Sequence, residues 1–292
     1  IAEPGDVVRL TGGTFVIKDG LSLDVPGVKI EGEGMDASIL EFSNQKSGAQ
    51  GLLVTSDNVT LQDFAVVNAK GDAIKSKGAN NISFIRVKTE WTGGPKTTNG
   101  AYGLYPVESE NILIDDCVAI GASDAGIYVG QSKNIIVKNS FVKHNVAGIE
   151  IENSFYADVF DNLAEENTGG ILVFDLPDLP QQGGHHVRVF NNKVINNNTP
   201  NFAPDGNIVG EVPSGSGIMV MANSHVEVFE NRIENNGTTG IAVVSYADDY
   251  QDKNYYPHPR SIQIHNNEYI NNGKNPDVES NDLARLLFEL SN

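Results

Sequence analysis

The sequence predicts a single all-β domain, a right-handed parallel β-helix running over residues 1–292 with a short C-terminal capping helix. Three observations carry this. A short alternating strand entering an Asn/Asp turn recurs, an aliphatic strand led by a small residue recurs between those copies, and the distance between the two is nearly constant. The chain also holds 32 asparagines and 30 glycines against 20 Lys plus Arg, a composition that argues against helices.

The first phrase starts at Val59, Ile82, Ile112, Ile135, Ala157, Val187, Val226 and Ile262. Four residues on stands Asp63, Asp116, Asn139, Asp161, Asn191, Glu230 or Asn266, types that suit a turn. Ten residues on, five copies place Asn145, Asn167, Asn197, Asn236 and Asn272, whose amides can bond from coil to coil. The second phrase centres on Ile74, Leu104, Ile127, Ile149, Ile171, Ile218 and Ile241. Five of these precede the next first-phrase start by 8 residues. The shortest full periods, 22 and 23 residues, suit one coil of three short strands. A leucine-rich horseshoe fails for want of its leucine signature and of helix-forming stretches.

In chain order, residues 1–55 read as irregular first coils, 56–275 as regular coils, and 280–292 as the cap, since Asp282–Leu290 has helical apolar spacing. Four insertions break the period: Thr92–Ala101, Asp175–Gly184, Asn198–Ser216 and Ser245–Arg260. All adjoin the aliphatic strand, so they are expected to wall a groove along its sheet.

Composition narrows the function. With 38 acidic residues the net charge is −18, which repels a phosphate backbone and excludes nucleic acid as a partner. One cysteine, Cys117, forms no internal disulfide and reads as a small buried side chain. No apolar run is long enough for a transmembrane segment. No signal peptide is visible, and the start at Ile1 is consistent with a removed one.

Strand alternation predicts the groove floor. If the aliphatic positions point inward, Lys75, Tyr105, Tyr128, Glu150, Leu172, Met219 and Ala242 point outward, and two residues further lie Lys77, Val107, Gly130, Glu152, Phe174, Met221 and Val244. The apolar end of this floor is either ligand-contacting or covered by the 198–216 loop. The catalytic candidates are Tyr105, Tyr128, Lys75 and Glu150: a tyrosine beside a lysine can move a proton, and neighbouring rungs lie close enough to act on one substrate. The substrate-binding candidates are Asp124, Glu152, Leu172, Phe174, Met219, Tyr255, His258 and Arg260, the last three from the aromatic-rich Tyr255–Arg260 wall. His144 is a more distant candidate. Glu150 and Glu152, with Asp124 and Asn145, form an alternative Ca²⁺ ligand set, weaker than two solvated carboxylates. No transition-metal site is expected, and His185 and His186, adjacent on a strand, should face opposite ways. Trp91 reads as loop packing or a sugar platform.

The strings TEWTGGPKTTNGAYGLYPV, ASDAGIYVGQS, VAGIEIENS, NTGGILVFDLPDLPQQ and NNNTPNFAPDGNIV resemble a bacterial family of parallel β-helix repeat-containing proteins within the pectate-lyase-like superfamily. That resemblance implies export, hence a periplasmic or secreted location with lipid anchoring through a removed N-terminal segment as a variant, and a c-type cytochrome as an alternative partner. A distant similarity to mannuronan C5-epimerases rests on Tyr102, Gly103 and Pro106, which match the YGxDPH motif, whereas Tyr105 and Val107 replace its Asp and His. The expected function is binding, with lyase- or epimerase-like modification, of a polysaccharide or oligosaccharide in the groove. The alternative is a non-catalytic partner of a cytochrome redox system.

Overall fold

A computed structural model of the chain describes residues 2–291; Ile1 and Asn292, the ends of the expected domain and cap, lie outside them. A typical coil contains three strands, as in Glu110–Asp115, Val118–Ile120 and Ala125–Gly130, followed by Lys133–Lys138, Phe141–Lys143 and Ala147–Glu152, whereas Thr60–Val67 and Ile82–Glu90 each join the first two. Every coil-to-coil pairing is parallel, and all but one, which shifts register between Asp19 and Leu21, are in register. The seven aliphatic-phrase strands stack with Asp19–Leu23 and Ser47–Val54 of the first coils into one nine-stranded sheet, and the other strands form a second, larger one. Leu104 pairs with Ile74 and Ile127, Ile149 with Ile127 and Ile171, and Ile218 with Ile171 and Ile241. Those side chains fill a continuous core with Ile114, Val137, Val159, Val189 and Val228. Each such burial stabilises the fold by about 1.5–3 kcal/mol relative to exposure.

The recurrent turn residues divide into two structural roles. Asp63, Asp116, Asn139, Asp161, Asn191, Glu230 and Asn266 have left-handed backbone, which Asn and Asp tolerate best. Asn145, Asn167, Asn197, Asn236 and Asn272 instead point inward. Asn145 Nδ2 donates to Asn167 Oδ1 at 2.9 Å, Asn167 to Asn197 at 3.0 Å, Asn197 to Asn236 at 3.1 Å and Asn236 to Asn272 at 3.0 Å. The glycine before six of the seven aliphatic residues (Ala73 precedes Ile74) is steric: a Cβ at Gly126 would lie 2.7 Å from Asn145 Nδ2, and one at Gly148 2.5 Å from the Gly170 carbonyl.

The C-terminal helix Asp282–Ser291 exists but packs in a different place from the cap expected over the end of the core. Leu283 and Leu287 join a second apolar cluster on the outer face of the nine-stranded sheet, with Leu172, Phe174, Met219, Val209 and Val212. Asn281 caps the helix by accepting from Ala284 N at 3.0 Å and donates from Nδ2 to the Glu211 carbonyl at 3.0 Å. The helix therefore fastens onto the 198–216 loop, where an apolar surface already exists. The last coil stays open, with Ile264 and Tyr269 exposed. Among the described residues, no helix is long and apolar enough to cross a membrane.

Candidate functional site

The two outward rows expected from alternation are present in register. One runs Lys75, Tyr105, Tyr128, Glu150, Leu172, Met219, Ala242 and the other Lys77, Val107, Gly130, Glu152, Phe174, Met221, Val244. They do not form one open floor. Segment 198–216, with its short helix Ile208–Glu211, lies over the apolar end, so Leu172, Phe174 and Met219 are buried packing residues rather than a ligand-contacting surface. Burial against Val209 and Val212 satisfies them better than water would.

The other part of the two rows is polar and aromatic. Tyr102, Tyr105 and Tyr128 form a three-ring cluster with centroids 4.4, 4.7 and 4.9 Å apart. Lys75 Nζ lies 4.2 Å from the Tyr105 ring centroid and 4.0 Å from Asp72 Oδ2. Behind them Tyr128 Oη donates to Glu152 Oε1 at 2.5 Å, and Gln131 Nε2 donates to both, at 3.1 and 3.2 Å. Gly130 makes this possible, since a Cβ there would stand 2.3 Å from the Tyr128 hydroxyl. Asp124 accepts from Tyr102 and, at 3.3 Å, from Asn207 Nδ2 on the covering loop.

Burial dominates the electrostatics. It raises Asp124 and Glu152 to about 7, opposed by hydrogen bonds from Tyr102 to Asp124 and from Tyr128 to Glu152. Glu150 is only 3% exposed, and its carboxyl has no hydrogen bond among the described residues, so burial and the nearby Glu152 and Asp124 charges hold it well above the carboxylate range. Burial pushes Tyr105 up to about 12 and Tyr128 well above its usual value. The tyrosines are thus proton donors at neutral pH, whereas Asp124 and Glu152 are poised to accept or give a proton.

The remaining candidates fall elsewhere. Tyr255 is buried in a ring cluster with Tyr246 and Tyr250, its hydroxyl bonded to the Asp175 carbonyl at 2.5 Å. His258 Nδ1 lies 2.9 Å from Ser245 Oγ, and the Arg260 guanidinium packs 4.3 Å from the Tyr256 ring. This wall loop folds largely on itself; its link to the cluster runs through Asp175, whose charge helps raise both Glu152 and Tyr255. His144 sits on a turn, 3.0 Å from Glu166. Asn145 belongs to the internal ladder, which removes it from the Ca²⁺ set. Among the described residues, no group of three or more His, Cys, Asp or Glu side chains is placed to hold a metal ion. Trp91 is buried, its indole N–H donating to the Ala69 carbonyl at 2.8 Å. Buried Cys117 has its thiol pushed up to about 12 by desolvation. Contrary to strict alternation, His185 and His186 lie on one side, their Nδ1 atoms 2.8 Å apart, because His186 has left-handed backbone.

Sequence reasoning missed Tyr102, Asp72, Gln131 and Asn207. Tyr102 and Asp72 stand at the strand start, where the coil bends and alternation no longer tells the outward side. Asn207 arrives from a loop that no period constrains.

A family model described as the right-handed β-helix region matches residues 26–178, a little over half of the chain. The chain belongs to the right-handed β-helix family. Among solved structures, this β-helix is similar to the A-module of mannuronan C-5 epimerase AlgE4 from Azotobacter vinelandii, with a TM-score of 0.55 at 14% identity over 90% of this chain and 86% of that one. It is similar also to DFA-IIIase from Arthrobacter chlorophenolicus A6 (TM-score 0.54, 11% identity, 91% and 78% covered) and to the surface protein and adhesin PfbA of Streptococcus pneumoniae (0.53, 11%, 92% and 90%). At these identities the likeness speaks for the fold alone. No curated protein sequence matches this β-helix significantly.

Proposed function

We propose that this β-helix binds a saccharide at Tyr105, on the middle strands of its nine-stranded sheet, and that the carboxyls behind Tyr105 exchange protons with it. One observation carries the reading: three buried carboxyls pack against three tyrosines, and two of those carboxyls titrate at about 7, where general acid–base groups work best. Approach is through the half-buried Tyr105 and Lys75, and through a cavity of about 310 Å³ whose lining includes Gln131, the side chain bonded to both Tyr128 and Glu152. An epimerase of mannuronan and a DFA-IIIase share the fold, which supports a carbohydrate ligand.

The charge pattern favours an uncharged saccharide over a uronan. Lys75 is paired with Asp72 and Lys77 with Glu108 at 3.3 Å, so neither leaves free positive charge for a polyanion. Asp124 and Glu152, rather than a tyrosinate, are the proton-accepting groups, and Tyr105 and Tyr128 serve as donors. No structural feature favours the c-type cytochrome partner implied by the resemblance. An extracytoplasmic location follows from the saccharide reading and is part of the proposal.

The test is titration of the protein with neutral hexasaccharides and with oligouronates, read by tyrosine fluorescence, with reducing ends and unsaturated products assayed in parallel. Neutral oligosaccharides should bind, and Tyr105→Ala should weaken them at least tenfold. Absence of binding to every neutral sugar at millimolar concentration sinks the reading.

A further inference from the structure

The opposite side of the solenoid carries a second groove, of about 810 Å³, built from two adjacent columns on the larger sheet. At the turn entering those strands each coil has one residue with left-handed backbone. In four coils it is Asn58, Asn81, Asn111 and Asn134, whose amides bond in series at 3.0, 2.8 and 3.1 Å. In the next three coils the same position is Tyr156, His186 and His225. The amide ladder ends there and rings replace it, at centroid distances of 5.1 and 4.9 Å. Tyrosine is a poor choice for this backbone, which Asn adopts readily.

Two residues further along each strand lies the facing column. Ile136, Asp158, Arg188 and Glu227 pair in register there. Ile136 is 40% and Tyr156 53% exposed, so apolar surface stands uncovered on both columns. The charges beside it are matched: Arg188 makes a bidentate pair with Asp158 at 2.7 and 2.6 Å, and Glu227 meets His265 at 3.0 Å. By contrast, the Phe160, Phe190 and Phe229 stack on the same side is half-buried and lines no such groove.

We infer that this groove is a binding site for an uncharged oligosaccharide lying along the solenoid axis. Such a ligand presents apolar C–H faces, which suit Tyr156 and Ile136, and hydroxyls, which suit planar groups whose charges are already paired. His186, held between two rings, offers its nitrogen edge for a hydroxyl. A polyanion finds no unpaired cation among these groove charges, and a purely apolar ligand would desolvate the Arg188–Asp158 and Glu227–His265 pairs without offering them a hydrogen bond. The site is separate from the Tyr105 cluster and does not rest on the reading given to that cluster.

The experiment titrates the whole protein with cellohexaose, laminarihexaose, mannohexaose, xylohexaose and, as a charged comparison, hexagalacturonate, following histidine imidazole signals by NMR. At least one neutral hexasaccharide should shift His186 and His225 and leave His144 unmoved. The triple variant Tyr156→Asn, His186→Asn, His225→Asn should bind it at least tenfold more weakly. Because the asparagine ladder is extended, that variant should melt at the same temperature as the natural protein or above it, by about 2 °C or more if backbone strain is relieved. Three results overturn the inference: no neutral sugar shifts these histidines, the triple variant keeps its affinity, or the variant melts several degrees lower, which would make the rings structural. A Tyr105→Ala protein reports on the other site alone, so the two outcomes are read separately.

Discussion

The Tyr128 hydroxyl donates a 2.5 Å hydrogen bond to Glu152, and its ring fits only because Gly130, one rung from Glu152, has no side chain. Gly130→Ala should therefore displace the phenol, cost about 1–3 kcal/mol by overpacking, and weaken saccharide binding. Tyr128→Phe should cost about 1–3 kcal/mol by leaving Glu152 with Gln131 as its one side-chain donor. Urea unfolding curves of the two variants check both values. A Gly130→Ala protein as stable as the natural one would show that the ring has room to move.

The buried carboxyls make stability depend on pH in a stated direction. Asp124 and Glu152 titrate at about 7 in the folded protein against 3.8 and 4.5 ordinarily. Between pH 5 and 7 the native state therefore keeps protons that the unfolded chain has released. Stability should fall as pH rises through this window, by about 1.4 kcal/mol per pH unit for each retained proton. Asp63, held low mainly by its hydrogen bond from Arg86, acts in the opposite sense and loses its contribution only below this window. Urea midpoints should be higher at pH 5 than at pH 7.5, and Asp124→Asn or Glu152→Gln should flatten the slope.

The internal ladder should be most sensitive at its middle. Asn167 donates to the Val142 carbonyl and to Asn197, and accepts from the Asn145 backbone and amide. Asn167→Ala leaves several buried groups unpaired and should cost about 2–4 kcal/mol. Asn272→Ala, at the open end, should cost about 1 kcal/mol, because only Asn236 loses ladder bonds. Equal losses at the two positions would argue against a cooperative ladder.

The covering loop makes a third region testable. Leu172→Ala opens a cavity beneath Val209 and Val212 and should cost about 2–5 kcal/mol. Leu283→Ser with Leu287→Ser removes half-buried contacts at the rim, so its cost should be smaller and accompanied by new binding of a hydrophobic dye. Asn207→Ala breaks the link to Asp124 at 3.3 Å and should raise the Asp124 pKa further, without unfolding the protein.

Much of the fold was legible because a solenoid repeats its instructions. Ile127, Ile149 and Ile171 recur at one spacing and pair in register, which also fixed the outward neighbours Tyr128, Glu150 and Leu172. The same regularity located the ladder residues Asn145 and Asn167. The site was only partly legible. Tyr105, Tyr128, Lys75, Glu150, Glu152 and Asp124 do gather on neighbouring strands in the middle of the sheet. Leu172 and Met219 share their row but lie beneath a loop whose path no periodicity encodes.

The sequence by itself determined the coil, the register and which residues face outward, because those follow from local backbone geometry repeated at a fixed spacing. Only the tertiary structure decided which outward residues meet solvent, where the C-terminal helix docks, and that His185 and His186 lie side by side. Those outcomes depend on contacts between segments far apart in the chain, such as Asn207 with Asp124 and Asn281 with Glu211, and on a single left-handed residue that reverses the alternation. The long-range contacts leave no periodic trace in the order of amino acids, and the left-handed turn position, Asn in four coils, is masked where His186 stands.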